Sequence, residues 1–272
     1  MATVADIAEI LEFRFDPALA EGWDVNGLSV GDPQATVERV LFAVDPTLAV
    51  VEEAIDLGAQ MVVTHHPLML RGVTSVAAST AKGAVVHRAI SAGLALYNAH
   101  TNADAAAGGV CDALAAALGI ESTVPLVPAS DDGSVGSGRL GVLAGPITLE
   151  DFARRVAGAL PATHHGVRVA GDLDAVITTV AVVGGAGDSF LSLVQAAGAD
   201  AYVTADLRHH PALEARELAE IGDGRPHLVD VSHYASEWLW LKETAEHVAD
   251  AAAVDVVVST LSTDPWTARF GA

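Results

Sequence analysis

Lysine is nearly absent: in 272 residues it occurs only at Lys82 and Lys242. With Lys+Arg at 14 against Asp+Glu at 35, the formal net charge is −21. No basic stripe exists to neutralise phosphates, which excludes a nucleic-acid scaffold. Cysteine is rarer still. The single Cys111 excludes an internal disulfide and fits a reducing cytosol; set among alanines and glycines, it reads as a small buried residue. Also lacking is any apolar run approaching the roughly 20 residues that span a bilayer, so no membrane association is expected. Met1 to Arg14 is acidic and amphipathic rather than a basic start followed by a cleavage site, so no secretory leader is expected either. A cytoplasmic location is the resulting expectation. What the chain has in quantity is hydrophobic residues, at 51%, enough to fill one large domain or two modest lobes.

Those residues fall into alternating strands and helices. Val4 to Phe13 has helical spacing, and the loop-like Trp23 to Pro33 follows it. Val37 to Val44 reads as a strand broken by Asp45-Pro46, then Leu48 to Leu57 as a helix closed by Gly58. Gln60 to Val63 is a strand, Ala81 to Ala92 a helix, Leu94 to Asn98 a strand and Val110 to Leu118 a helix. Pro125 to Gly138, rich in Pro, Ser, Asp and Gly, reads as a link. Beyond it come a helix at Ile147 to Leu160, strands at Val167–Ala170, Val176–Val183, Ala201–Thr204 and Leu228–Val231, and a final helix and strand. An internal echo joins the halves. Leu57-Gly58-Ala59-Gln60-Met61-Val62-Val63-Thr64 resembles Ala197-Gly198-Ala199-Asp200-Ala201-Tyr202-Val203-Thr204, and each precedes a His-His-Pro, at His65 and at His209. The expected fold is α/β: two related α/β lobes, each a mixed sheet flanked by helices. Lobe 1 is expected to span 1–124, with 228–272 returning to it and carrying His233 and Glu237, and lobe 2 to span 125–227.

Three clusters of ligand-type residues sit just past strand ends: His65/His66, His100/Asp104 and His233/Glu237. Side chains alternate along an extended chain, so His65 and His66 are expected to diverge towards two different ions; two plain loop histidines are the competing reading. The other two pairs are spaced i, i+4, which puts both groups on one helical face, although helix surfaces also produce that spacing by accident. Imidazole with carboxylate suits Zn, Fe, Mn, Co or Ni, and the absence of nearby cysteine argues against a structural thiolate site. Such a set can hold two ions if one carboxylate bridges, and Glu237 is the candidate bridge. Two divalent ions against two carboxylates leave the site about +2, which favours activated water and a small anionic substrate. His209 and His210 either face the same cavity or close a surface turn at Pro211; His164 and His165 match no ligand pattern and read as surface, and His87, His227 and His247 as structural. The turn Gly184 to Gly187 either cradles an anion or is a plain tight turn, since it lacks the Lys-Ser/Thr of a P-loop.

Together these motifs resemble the Nif-three-like dinuclear-metal family, whose members are also called GTP cyclohydrolase 1 type 2 homologs. The resemblance runs nearly end to end: Trp23-Asp24…Gly27-Leu28, Val63-Thr64-His65-His66-Pro67, Ala99-His100-Thr101-Asn102-Ala103-Asp104 with Gly108-Gly109, Gly184-Gly185-Ala186-Gly187, Asp206-Leu207-Arg208-His209-His210, and Ser232-His233-Tyr234…Glu237. It implies a toroidal homohexamer with sites facing an inner cavity, and two divalent metal ions per chain held by His65, His66, Asp104, His233 and Glu237. His100 is implied as the catalytic residue, an occasional ligand or a proton-transfer group, with orientation of a ligand as its alternative role. The implied activity is that of a metal-dependent hydrolase on a nucleotide-like anionic substrate, with opening of the guanine ring of GTP as the candidate reaction. A non-catalytic metal-binding ring or scaffold is the alternative. The chain departs from the family pattern at Val25-Asn26, usually Asn-Val, and at Ala205, usually Gly; the insert of longer members is absent.

Overall fold

Apolar runs bounded by Gly and Thr become short strands and capped helices in the computed structural model, which describes residues 1–271. The chain runs through β1 (Ala2–Thr3), α1 (Val4–Arg14), β2 (Gly27–Val30), β3 (Thr36–Val37), β4 (Arg39–Ala43), α2 (Leu48–Asp56), β5 (Met61–Thr64), α3 (Ala81–Ala92), β6 (Ala95–Asn98) and α4 (Thr101–Ala105). It continues through α5 (Val110–Ala117), β7 (Ile120–Pro128), β8 (Gly136–Thr148), α6 (Leu149–Ala159), β9 (Arg168–Ala170), β10 (Val176–Ala186), α7 (Leu191–Ala196) and β11 (Ala201–Ala205). The last elements are α8 (His209–Ile221), β12 (His227–Val231), α9 (His233–Trp238), α10 (Trp240–Ala252) and β13 (Asp255–Val258). Among the described residues no helix is long and apolar enough to cross a membrane.

The chain divides into two compact units: residues 1–106 with 241–263, and residues 107–240 with the stretch from Asp264 onward. The breaks after 106 and after 240 fall away from the expected positions after 124 and after 227, and a third break follows 263. Pro125 to Gly138 is no link. Most of it belongs to the β7–β8 hairpin, with Val124 paired to Leu140 and Pro125 to Arg139. Pro125 is tolerated because β7 is an edge strand, where a missing N–H costs no ladder bond. The late strand β12 lies inside the second sheet, between β11 and β9, so His233 and Glu237 belong to the second unit rather than the first.

The first unit is built on a sheet of order β13-β4-β5-β6-β2. Its first four strands are parallel and β2 closes the edge antiparallel. All four residues of β5 and of β6 are buried, as strands covered on both faces require. Thr47 and Thr80 cap α2 and α3, and Gly93 ends α3 in the left-handed region at φ 68°. The second unit has a sheet of order β7-β8-β10-β11-β12-β9, parallel through β10-β11-β12 and antiparallel elsewhere. Its core packs Leu149, Phe152 and Val156 of α6 with Ile177, Val203 and Val229 of the sheet.

The internal echo is realised as one local build used twice. In α2–β5 the helix gives way at Gly58 (φ 69°), and in α7–β11 at Gly198 (φ 72°). The next amide folds back onto the helix in each, Ala59 N to Ala54 O at 2.9 Å and Ala199 N to Val194 O at 3.4 Å. The following side chain then accepts two backbone N–H groups from the neighbouring strand. Gln60 Oε1 takes Glu38 N (2.8 Å) and Arg39 N (3.0 Å), while Asp200 Oδ2 takes Thr178 N and Thr179 N, both at 2.8 Å.

Candidate metal centre

In the first unit, β5 ends at Thr64 and the chain turns at once. The amides of His65 and His66 both donate to Val44 O, at 3.1 and 2.9 Å, and Thr64 Oγ1 donates to His66 O at 2.8 Å. This turn overrides the alternation expected of an extended chain. The two imidazole centroids stand 5.0 Å apart with their planes tilted at 51°. His100, delivered just past β6, stands 5.2 Å from His65 and 5.5 Å from His66. One ligand atom from each of His65, His66 and His100 lies within 4.8 Å of the others. Asp104, one turn along α4, brings Oδ1 to 3.7 Å from His65 Nε2. The first unit therefore gathers His65, His66, His100 and Asp104 around one point.

Each ring is held from behind. His65, fully buried, donates through Nδ1 to Ala99 O at 3.0 Å. A carbonyl can only accept, so the proton of neutral His65 is on Nδ1 and its lone pair on Nε2. His66 Nδ1 meets Asp45 Oδ1 and His100 Nδ1 meets Asp24 Oδ1, both at 2.7 Å. Asp24 also accepts from Thr101 N at 3.0 Å and from Thr101 Oγ1. Burial pushes the Asp24 carboxyl upward, but the bonds from His100 and Thr101 outweigh it and hold the group at about 2. Thr263 Oγ1 donates to Asp45 Oδ2.

The second unit carries a shorter set. Ser232 caps α9 by accepting from Ala235 N and itself donates to Asp264 Oδ2. The i, i+4 spacing then sets His233 Nε2 3.1 Å from Glu237 Oε1, with Glu237 only 3% exposed. His233 Nδ1 meets Asp206 Oδ2 at 2.8 Å, and this bond holds the Asp206 carboxyl below its ordinary value against the effect of burial. Asp206 follows β11 in the left-handed region, φ 54°.

The Gly-rich end of β10 serves this pair by being bare. A Cβ on Gly185, whose φ is +66°, would lie 2.3 Å from Glu237 Oε1 and 3.2 Å from His233 Nε2. Its N–H donates to Ser236 Oγ at 2.9 Å and that of Gly187 to Ala205 O at 3.3 Å. These amides are committed within the fold, and Gly184 to Ala186 form the end of strand β10 rather than the expected turn. His209 and His210 open α8, exposed, with centroids 5.0 Å apart. His164 is exposed, but His165 is half-buried and its Nε2 lies 3.0 Å from Asp230 Oδ2, contrary to the surface role expected of it.

Sequence reasoning missed Asp24, Asp45 and Asp206, the three carboxylates behind the rings. The signals were their places in the sequence: Asp24 and Asp206 lie within the family motifs, and Asp45 and Asp206 closely follow β4 and β11. The donor set fits a borderline divalent ion: neutral imidazoles oriented through Nδ1, joined by buried or half-buried carboxylate oxygens.

The profile of the Duf34/NIF3 (NGG1p interacting factor 3) family matches residues 2–265. A Streptomyces coelicolor protein named GTP cyclohydrolase 1 type 2 homolog is 49% identical, over 99% of this chain and 95% of its own length. A Mycobacterium leprae protein of the same name is 35% identical over 97% of this chain and 95% of its own. That alignment runs over 373 positions against 272 residues here, so the relative carries a long stretch with no counterpart in this chain. Among solved structures, a Bacillus cereus protein related to NIF3 superposes with TM-score 0.88 at 26% identity, covering 98% of this chain and 99% of its own. By sequence and fold, the chain belongs to the Duf34/NIF3 family.

Proposed function

We propose that this chain is a metal-dependent hydrolase that holds two divalent ions, with His65, His66, Asp104, His233 and Glu237 as ligands and Glu237 as the bridge. The observation that carries the reading is the treatment of the histidines. His65, His66, His100 and His233 each have Nδ1 engaged by a carbonyl or carboxylate at 2.7–3.0 Å, the arrangement that orients a ligating imidazole and raises its basicity. When bound, the ions would supply Lewis acidity and activate water. His100, backed by the Asp24 carboxylate, is the group that takes up and returns a proton at Nε2. The relatives' name points to a nucleotide such as GTP as substrate, and a net positive metal site suits that anion. The working form would be a cytoplasmic homohexamer, as the family resemblance implies.

The first test is metal content of protein prepared without affinity-tag nickel. About two ions per chain are expected; fewer than one overturns the reading. The second is incubation of loaded protein with GTP while following guanine absorbance. A loss of absorbance is expected, and no turnover with any of Zn, Fe, Mn, Co or Ni removes GTP as the substrate.

A further inference from the structure

Trp23 is 59% exposed although indole is the largest apolar surface a side chain can bury. It stands beside the first unit's histidines, its ring centroid 5.9 Å from that of His100 with the planes at 79°. The loop carrying it is tied down on both sides. Before it, Glu21 N donates to Thr101 Oγ1 at 3.0 Å and Glu21 O accepts from Asp24 N at 2.9 Å. After it, the Asp24 carboxylate takes His100 Nδ1 and Thr101 N, Asn26 Oδ1 takes His100 N at 2.9 Å, and Val25 O takes Asn98 Nδ2 at 2.8 Å. Every one of these partners belongs to the loop itself or to the strand end that delivers His100. The indole is thus preorganised next to the histidine cluster, and a ligand seated on it need not pay to order the loop.

We propose that Trp23 is the stacking platform for a planar heteroaromatic ring of the substrate, with a purine base as the class it takes. The inference rests on the metal-site reading above and adds what that reading lacks, a means of recognising a base. No hydrogen-bond code is needed, because an indole face accepts any flat conjugated ring and rewards an aliphatic one far less. Trp23 acts as a specificity-determining residue and takes no part in the bond-breaking step.

The experiment compares GMP with ribose 5-phosphate, the same anion without the ring, on metal-loaded protein by calorimetry, with metal per chain measured on the same samples. Removing a base–aromatic stack costs about 5- to 150-fold in affinity. Wild-type protein is therefore expected to bind GMP at least about fivefold tighter than ribose 5-phosphate. Trp23→Ala should lose most of that advantage and Trp23→Phe should keep much of it, both with wild-type metal content. Equal binding of the two probes, no GMP binding at millimolar concentration, or an advantage that survives in Trp23→Ala overturns the platform. Metal loss in Trp23→Ala also overturns it, because Trp23 would then be a support for the metal-holding side chains rather than a surface for the ring. A fully loaded wild type without ring preference removes the platform alone, whereas fewer than one ion per wild-type chain removes the metal reading with it.

Discussion

The two units start from the same helix–glycine–strand lead-in and finish it by different means. In the first, three imidazoles crowd together and each is aimed by an acceptor behind Nδ1: Ala99 O, Asp45 and Asp24. In the second, one imidazole and one carboxylate share a single helical turn, and the carboxylate is placed by a bare glycine against it. Acceptors behind Nδ1 aim the imidazoles of both units, His233 through Asp206 included, and the second unit adds exclusion at its carboxylate. Even the shared brace differs in kind, being the neutral Gln60 in one unit and the ionised Asp200 in the other. One local scaffold thus tolerates more than one way of fixing a ligand atom, so the two sets should fail differently under mutation and acid.

The largest break is expected at the glycine. Gly185→Ala puts a methyl 2.3 Å from Glu237 Oε1 at a φ of +66° that side chains rarely adopt. Glu237 must move, and metal affinity in the zinc-loaded protein, read by chelator competition, should fall by more than about 100-fold. Retention of wild-type affinity would show that exclusion does not place the carboxylate. Next come the acceptors. Asp45→Ala and Asp206→Ala should each weaken metal binding by about 10- to 100-fold while the far-ultraviolet circular dichroism stays native. An unchanged affinity in either would separate that histidine from the metal set. His100→Ala should leave metal content at the wild-type level but lower turnover by about 10²- to 10⁴-fold. If turnover is also unchanged, the non-catalytic ring gains.

Acid sharpens the contrast between the units. Burial raises the Asp200 carboxyl, but bonds from Thr179 N, Thr178 N and Arg225 overcome it and leave the pKa lowered. A lowered folded pKa means stability present above the unfolded value of about 3.9 and lost as pH falls through the folded one. Gln60 has no such dependence. Hydrogen exchange should therefore show protection at Thr178 and Thr179 dropping in that acid range while Glu38 and Arg39 keep theirs. Parallel loss at both sites would mean that the charge is immaterial. The smallest effects belong to the helix caps: Thr47→Ala in the first unit and Thr148→Ala in the second remove side chains that accept from Val50 N and Asp151 N. Each should cost about 1 kcal/mol, read as a lower thermal midpoint.

The sequence made the candidate ligands visible because polar side chains at the ends of fully apolar runs have few structural reasons to be there. The local elements around them were equally plain, since Thr caps and Gly stops bracket α2 and α3 within a few residues. Three things stayed hidden for physical reasons. The acceptors of His66, His100 and His233 lie 21, 76 and 27 residues away in the chain, so only tertiary structure pairs them. The turn at His65 depends on Val44 O reaching both amides from the neighbouring strand, which periodicity cannot register. The β7–β8 hairpin looked like a link because its composition is that of a loop, and only its place at the sheet edge makes Pro125 compatible with a strand.

Thr263 and Asp264 are adjacent in the chain and brace different units. The first donates to the carboxylate behind His66, and the second accepts from the serine that caps the helix of His233 and Glu237. A nascent chain on the ribosome will therefore have made all the candidate ligands before either brace exists. A nonsense mutation just ahead of this dipeptide would spare every candidate ligand and yet remove both bonds.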